Sequence, residues 1–392
     1  MLRPVRRIAG SSGGGLTARA AWIWLHKWLG LLLGAVIALM GLTGSVNVFY
    51  RELDALLHPG LFAATAGLHP VGPAAALRIA GAAAHMPVGF VYAPDSVWPV
   101  WTGLFRRHGA LWTVTVDPGS GRVLGLRDLD SSPVRIIYRL HENLLLQPWW
   151  GEQMVGVLGV LLLLMAGSGV LLWWPWPGPW RPELWRALVR LRIKPRQLLY
   201  RDVHALAGIW SAGLLMAVAA TGAGVVFPGL VRPMVALVSA PSPVPVPVVA
   251  DRKTPFAVDA DAAVRVALAA APGEALRYVM EPAPARDGRA GAWQVGLRWR
   301  AGSTAELVTG AVWVDPWSGR IVARRVPGQE TAGDHAMDLL LWIHNGSVLG
   351  WTGRIGVFLS GLSLPVLFVS GLLFWARKRR LRRGATRRRQ AA

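Results

Sequence analysis

The sequence predicts a membrane protein: a four-transmembrane-helix bundle built from a duplicated two-helix unit, with two exported α+β inserts. Three observations carry this reading. Four apolar stretches, 28–49, 153–174, 206–227 and 355–375, contain no Asp, Glu, Lys or Arg. Half of the 42 basic residues crowd into three short segments outside those stretches. One turn motif, Asp117-Pro118-Gly119-Ser120-Gly121, recurs as Asp315-Pro316-Trp317-Ser318-Gly319.

At a rise of about 1.5 Å per residue, each apolar stretch covers a hydrocarbon core of roughly 30 Å. An open chain in lipid must satisfy its backbone internally, so all four are expected as helices. Charge orients them. Five basic residues precede the first span, seven lie between the second and third, and nine follow the fourth, against only Glu183 and Asp202. Short basic segments stay in the cytoplasm, so both termini are expected inside and both long loops outside. The net charge of +21 thus follows from topology, and anionic lipid head groups account for it without nucleic acid.

The expected order is a basic cytoplasmic N-terminus (1–27), a first span (28–49), an exported insert (50–131), an interfacial helix (132–147) and a second span (153–174). A basic cytoplasmic loop (175–203) leads to the third span (206–227), the second insert (228–333), an interfacial helix (334–346), the fourth span (355–375) and a basic tail (376–392). The first span is longer than the 7–15 apolar residues of a signal peptide and reads as an uncleaved anchor. The glycine-rich 11–15 follows no strand and reads as a flexible tail.

Within each insert, β-branched residues alternate on both sides of the Asp-Pro-x-Ser-Gly motif, which predicts a hairpin. The Asp, Ser and Arg of these motifs read as turn chemistry. An alanine-rich helix (73–84; 259–271) and a further strand (88–92; 275–280) precede each hairpin, making each insert a small α+β module. The chain has no cysteine, which removes disulfides, thiolate metal sites, Fe–S clusters and covalently attached c-type haem.

Four histidines stand at matching places. His26 is followed seventeen residues later by Thr43-Gly44, and His204 by Thr221-Gly222 at the same spacing. His141 and His344 each precede the next span. By the charge rule His26 and His204 enter from the cytoplasmic side, while His141 and His344 lie on the outer side. Packing of the two halves would bring like to like: His26 with His204, His141 with His344. Paired neutral imidazoles are what a b-type haem needs, and two such pairs, binding one or two haems, would form an electron relay. Singly, an interfacial histidine needs no ligand, because imidazole sits comfortably among head groups.

Gly30, Gly34, Gly41, Gly156, Gly159, Gly208 and Gly213 would allow close approach of a macrocycle or of another helix. His58, His69, His85 and His108 share no recurring spacing and read as solvated. His335 is nine residues before His344, about 180° around a helix, so both cannot face one site. No HExxH, Ser-His-Asp order, Walker loop or dinucleotide fingerprint occurs.

From about Ala21 to Arg380 the chain resembles the PepSY-associated transmembrane family. The resemblance rests on Leu25-His26-Lys-Trp-Leu-Gly30 with Thr43-Gly44, and on Arg201-Asp-Val-His204-Ala-Leu-Ala-Gly208 with Thr221-Gly222. Leu140-His141-Glu-Asn-Leu, Trp342-Ile-His344-Asn-Gly and the two hairpin motifs complete it. It implies a bacterial inner-membrane haem protein with periplasmic PepSY-like inserts, reducing Fe(III) held by a siderophore, with the four histidines as haem ligands. Electrons would run outward. Some relatives carry a fused flavin reductase domain; this chain has none, so the donor would be a separate flavoprotein or a quinol. The alternative is a non-enzymatic membrane-anchored PepSY binding or regulatory protein, or a transporter accessory, with structural histidines. Charge-free spans argue against an ion-coupled transporter.

Overall fold

The computed structural model describes residues 13–67, 69–174, 188–243, 245, 247–286, 288–299 and 308–390. The first part of the expected basic loop, 175–187, lies outside them. Among the described residues four helices are long and apolar enough to cross a membrane, at Ala18–Asn47, Gly151–Trp173, Arg196–Val226 and Ser347–Arg387.

The described residues within 1–45, 156–223 and 357–392 form the helical unit. Helix α1 (Gly13–Asn47) begins well before the apolar stretch, because residues 16–28 contain no proline or glycine and continue the helix through His26. Gly13–Gly15, expected to be flexible, form its first turn. The short α2 (Tyr50–Leu57) follows it. Helices α5 (Gly151–Trp173) and α6 (Arg196–Val226) supply the second and third apolar segments, and α10 (Gly350–Gln390) supplies the fourth and continues through the basic tail. Pro365 lies inside α10, a position tolerated in apolar helices when neighbours satisfy the freed carbonyl.

Ile37, Leu215 and Leu364 form the bundle core with Leu158, Leu162 and Met165 around them. Small residues set the helix spacing. A Cβ on Gly41 would fall 2.6 Å from the Gly361 carbonyl oxygen, and the Ser45 hydroxyl donates to the Phe358 carbonyl at 2.8 Å. Gly34 meets the Phe368 ring, and a Cβ on Gly159 would lie 3.2 Å from the Ala219 carbonyl oxygen. At these glycines the neighbour is another helix.

The sheet unit comprises 46–155 and 224–356. The first insert gives α3 (Pro73–Ala84), β1 (Phe90–Tyr92), β2 (Trp101–Arg107), β3 (Ala110–Val116), β4 (Val123–Asp128) and α4 (Pro133–Asn143). The second gives α7 (Pro228–Ala236), β5 (Val248–Ala250), α8 (Ala260–Ala270) and β6 (Glu274–Met280). It continues with β7 (Arg289–Gly291), β8 (Trp293–Trp299), β9 (Val308–Val314), β10 (Ile321–Arg325) and α9 (Ala332–His344). β5 and β7 pair separately.

The two inserts do not stay separate modules. Their strands join in one eight-stranded sheet, β10-β9-β8-β6-β1-β2-β3-β4. The seam is the antiparallel β1–β6 pair, with Val91 opposite Val279 and Tyr92 opposite Tyr278. From that seam outward, each insert adds its strands in chain order. One face of the sheet is packed by α3 and α8, whose Ala76, Ala80, Ala263 and Ala267 meet Val91, Val114, Val279, Val295 and Val312. Alanine faces let the helices lie close, and valine on a pleated surface fills the space between. Asp259 caps α8 by accepting from the Ala262 amide at 2.8 Å.

Candidate functional site

In the helical unit, α1 and α6 bring His26 and His204 together, with ring centres 6.2 Å apart and planes at 89°. Each imidazole is held through Nδ1. His26 Nδ1 lies 2.8 Å from the Ser168 hydroxyl on α5, and that hydroxyl donates onward to the Met165 carbonyl at 2.9 Å. With its proton so engaged, the Ser168 oxygen accepts, and the Nδ1–H of His26 donates. His204 Nδ1 lies 2.9 Å from the Leu367 carbonyl oxygen and 3.2 Å from the Ser370 hydroxyl on α10. A carbonyl can only accept, so His204 also carries its proton on Nδ1. In a neutral ring both assignments leave a lone pair on Nε2, the arrangement in which a ligating histidine is oriented by its outer partner.

Glycine makes room for both rings. A Cβ on Gly169 would stand 3.4 Å from His26 Cε1, and one on Gly371 would stand 3.2 Å from the His204 ring. Neither is among the glycines named above; their mark in the sequence is the Ser-Gly pair at 168–169 and again at 370–371.

In the sheet unit, His141 lies in the last turn of α4 and His344 ends α9. Their ring centres are 6.1 Å apart, with planes inclined at 38°. Helix C-termini carry partial negative charge that favours the protonated form of an imidazole there. Thr331 and Asp334 anchor the start of α9 through a reciprocal capping box, and Asp334 accepts from the Ser242 amide and hydroxyl at 2.8 and 2.7 Å. Burial opposes ionisation of Asp334, but the Ser242 and Thr331 hydrogen bonds outweigh it and bring its carboxyl down to about 2.

The other histidines are placed differently. His58, expected to be solvated, lies 3.2 Å from an Asp54 carboxylate oxygen and 3.0 Å from an Arg127 nitrogen. His85 and His108 occupy left-handed turn positions. His335 lies 3.7 Å from Glu330. The hairpin aspartates are turn anchors: Asp117 accepts from the Thr65 amide and hydroxyl, the Gly119 amide and the Ser120 hydroxyl.

Sequence reading also missed the buried ions of the sheet unit. Asp95 sits between Arg51 at 2.5 Å and Arg277 at 3.2 Å, all three buried. The buried Arg354 pairs with Glu52 at 2.7 Å and donates to the Val48 carbonyl. Nothing in local patterning marks these arginines, which lie far apart in the chain.

Among the described residues no three His, Asp or Glu side chains gather as a bare metal site. Two imidazoles suit instead a metal whose other positions are already filled by a macrocycle. The pairs bring two imidazole rings to 6.2 and 6.1 Å between centres, so each would offer two nitrogen donors to such a group.

Four membrane-length helices and an inserted antiparallel sheet define a multi-pass membrane protein. The chain belongs to the PepSY-associated transmembrane family: the family model for the PepSY-associated TM region matches residues 23–378, a span that contains all four paired histidines. No curated protein matches the sequence.

Proposed function

We propose that this protein is an inner-membrane haem b oxidoreductase that moves electrons from the cytoplasmic side to the periplasm and reduces Fe(III) there, in a siderophore complex. The observation that carries the reading is the pairing of His26 with His204 and of His141 with His344 at ring spacings of 6.2 and 6.1 Å. In this reading both termini are cytoplasmic, both inserts are periplasmic, and the two halves descend from one duplicated two-helix unit.

Haem bound at these pairs supplies one-electron carriage. The chain's own residues do the rest. Ser168 and the Leu367 carbonyl fix which nitrogen of each inner imidazole carries the proton and which faces the metal. Gly169 and Gly371 leave room for the rings to keep that orientation. Reduction to Fe(II) lowers the charge that attracts hard oxygen donors, so the iron leaves its chelator. One electron per iron is drawn from a flavoprotein or a quinol. No general acid or base is required, in keeping with the absence of such a cluster among the motifs.

The test is a visible spectrum of the protein purified in mild detergent from haem-sufficient cells, before and after dithionite. A Soret band and a sharp reduced α-band are expected, with haem per chain counted as the pyridine haemochrome. His141→Ala or His344→Ala should remove the outer haem and leave the inner one. A colourless preparation would leave instead a membrane-anchored binding protein with structural histidines. Full haem content in all four single histidine variants would sink the pairing.

A further inference from the structure

The face of the sheet opposite α3 and α8 is treated differently by the two inserts. In the first, Thr102 stands opposite Thr115 and Leu104 opposite Thr113. Counting back from the shared Asp-Pro turn and forward from the paired Trp101 and Trp293, the matching positions of the second insert are Gln294 opposite Trp313 and Gly296 opposite Ala311. There the space is filled. Trp313 is buried against Ala292 and Ala311, the Tyr278 ring lies over Gly296, and Gln294 donates to the Tyr278 hydroxyl at 2.7 Å.

In the first insert the same face keeps a cavity of about 210 Å³, walled by the sheet, α2 and α4. Its lining is rich in donors. Thr102, Thr113 and Ser132 are 4 %, 2 % and 6 % exposed. Among the described residues their hydroxyls and the Arg127 Nε have no hydrogen-bond partner, while the Arg135 Nε stands 3.7 Å from an Asp130 carboxylate oxygen. Buried polar groups left this way are costly unless something outside the chain satisfies them. The lining carboxylate of Asp54 pairs with Arg127 through Oδ2, and its Oδ1, 3.2 Å from His58 Nδ1, has no hydrogen-bond partner. Tyr50, Tyr92, Trp98 and Tyr138 supply the ring walls.

We propose that this cavity is a binding site for a small aromatic oxyanion, a single ring bearing carboxylate or phenolate oxygens. The Arg127 Nε and the hydroxyls, which can also accept, offer donors to an acceptor; two lining arginines against the single lining carboxylate favour negative charge, and the aromatic walls select a flat ring. A cavity of about 150 Å³ already takes a benzene ring, so this one holds a ring with its oxygen substituents. Tyr138 is three residues before His141 on α4, so the ligand touches the helix that presents the outer histidine. The proposal does not rest on haem binding.

Salicylate is the probe, titrated calorimetrically into the full-length protein in detergent, with benzylamine as the cation of similar size and acetate as the anion without a ring. Saturable salicylate binding is expected, with neither control competing. Thr113→Val keeps the shape and removes one donor, and should weaken binding roughly five- to tenfold. Thr115→Trp, which copies Trp313 of the second insert, should fill the cavity and abolish binding. The proposal is overturned if salicylate heats show no saturation beyond those of empty micelles, or if benzylamine binds as well. It also fails if Thr113→Val binds salicylate as tightly as the unmodified chain, a result readable even where Thr115→Trp does not fold.

Discussion

His26 Nδ1 rests on the hydroxyl of Ser168 at 2.8 Å, whereas its counterpart His204 rests on a backbone carbonyl, that of Leu367, at 2.9 Å. The His26 imidazole is thus held by a side chain that mutation can remove, with the Met165 carbonyl behind it, and the His204 imidazole by a backbone group that mutation leaves in place.

Ser168→Ala should accordingly weaken the His26–His204 site far more than Ser370→Ala. Loss of an outer partner to a ligating histidine costs about 10- to 100-fold in affinity for what it holds. The Ser370 change leaves the Leu367 carbonyl in place. Haem retained after dialysis, followed by the Soret band, measures the difference. Equal retention in the two variants would remove Ser168 as the orienting group.

Gly371→Val should displace the His204 ring, because even a Cβ there lies 3.2 Å from it, while Gly213→Ala enters open space. If haem binds at the His26–His204 pair as proposed, the first variant is expected to lose the reduced spectrum of that site with its melting temperature little changed. The second should match the unmodified chain in both measurements.

Asp95→Asn should be strongly destabilising. Burial, and then the neighbouring Arg51 guanidinium, already push the Arg277 guanidinium below its ordinary range, and Asp95 is the carboxylate both arginines share. Removing its charge leaves two buried cations without it, at a cost of about 3–5 kcal/mol. Thermal or denaturant unfolding reads this directly, and a change below about 1 kcal/mol would contradict the assignment.

Acid should loosen the sheet unit through Asp117 and Asp334. Burial alone would raise the Asp117 carboxyl, but hydrogen bonds from Ser120, Thr65 and Gly119 hold it well below the usual carboxylate range. Asp334 is lowered from 3.8 to about 2. A carboxyl depressed in the folded state stabilises fully above its unfolded value, and that contribution fades as pH falls through the folded one. The Asp334 share is on the order of 2 kcal/mol, present at neutral pH and lost from about pH 4 down to below 2. Asp334→Asn should therefore lower the melting temperature at pH 7 and show a smaller deficit at pH 2.

Much of the local structure was legible in the chain. The helix expected at 73–84 is α3, Pro73–Ala84, because Pro is favoured in the first turn and alanine throughout. Both Asp-Pro-x-Ser-Gly motifs are the hairpin turns β3–β4 and β9–β10, with Gly121 and Gly319 at positive φ. Helix ends were less legible: α1 starts at Gly13 and α10 runs to Gln390, because Arg and Lys extend a helix that an apolar window does not register. For the candidate site, the histidines were visible by spacing, but Ser168 and Ser370 were not, since serine in an apolar helix is unremarkable until its neighbour is known.

The sequence by itself determined the membrane class, the four spans, the turns and the kinds of residue available for chemistry. All of these depend on composition or on residues a few positions apart, where periodicity, charge and turn propensity act. Tertiary structure alone decided that Val91 meets Val279 and fuses the inserts into one sheet. It also decided which acceptor holds the His26 and His204 imidazoles, that Asp95 is shared by Arg51 and Arg277, and that Trp313 closes in one insert the space that Thr115 leaves open in the other. Those outcomes join residues distant in the chain, and they are set by packing and by the need of buried polar groups for partners, which no local window contains.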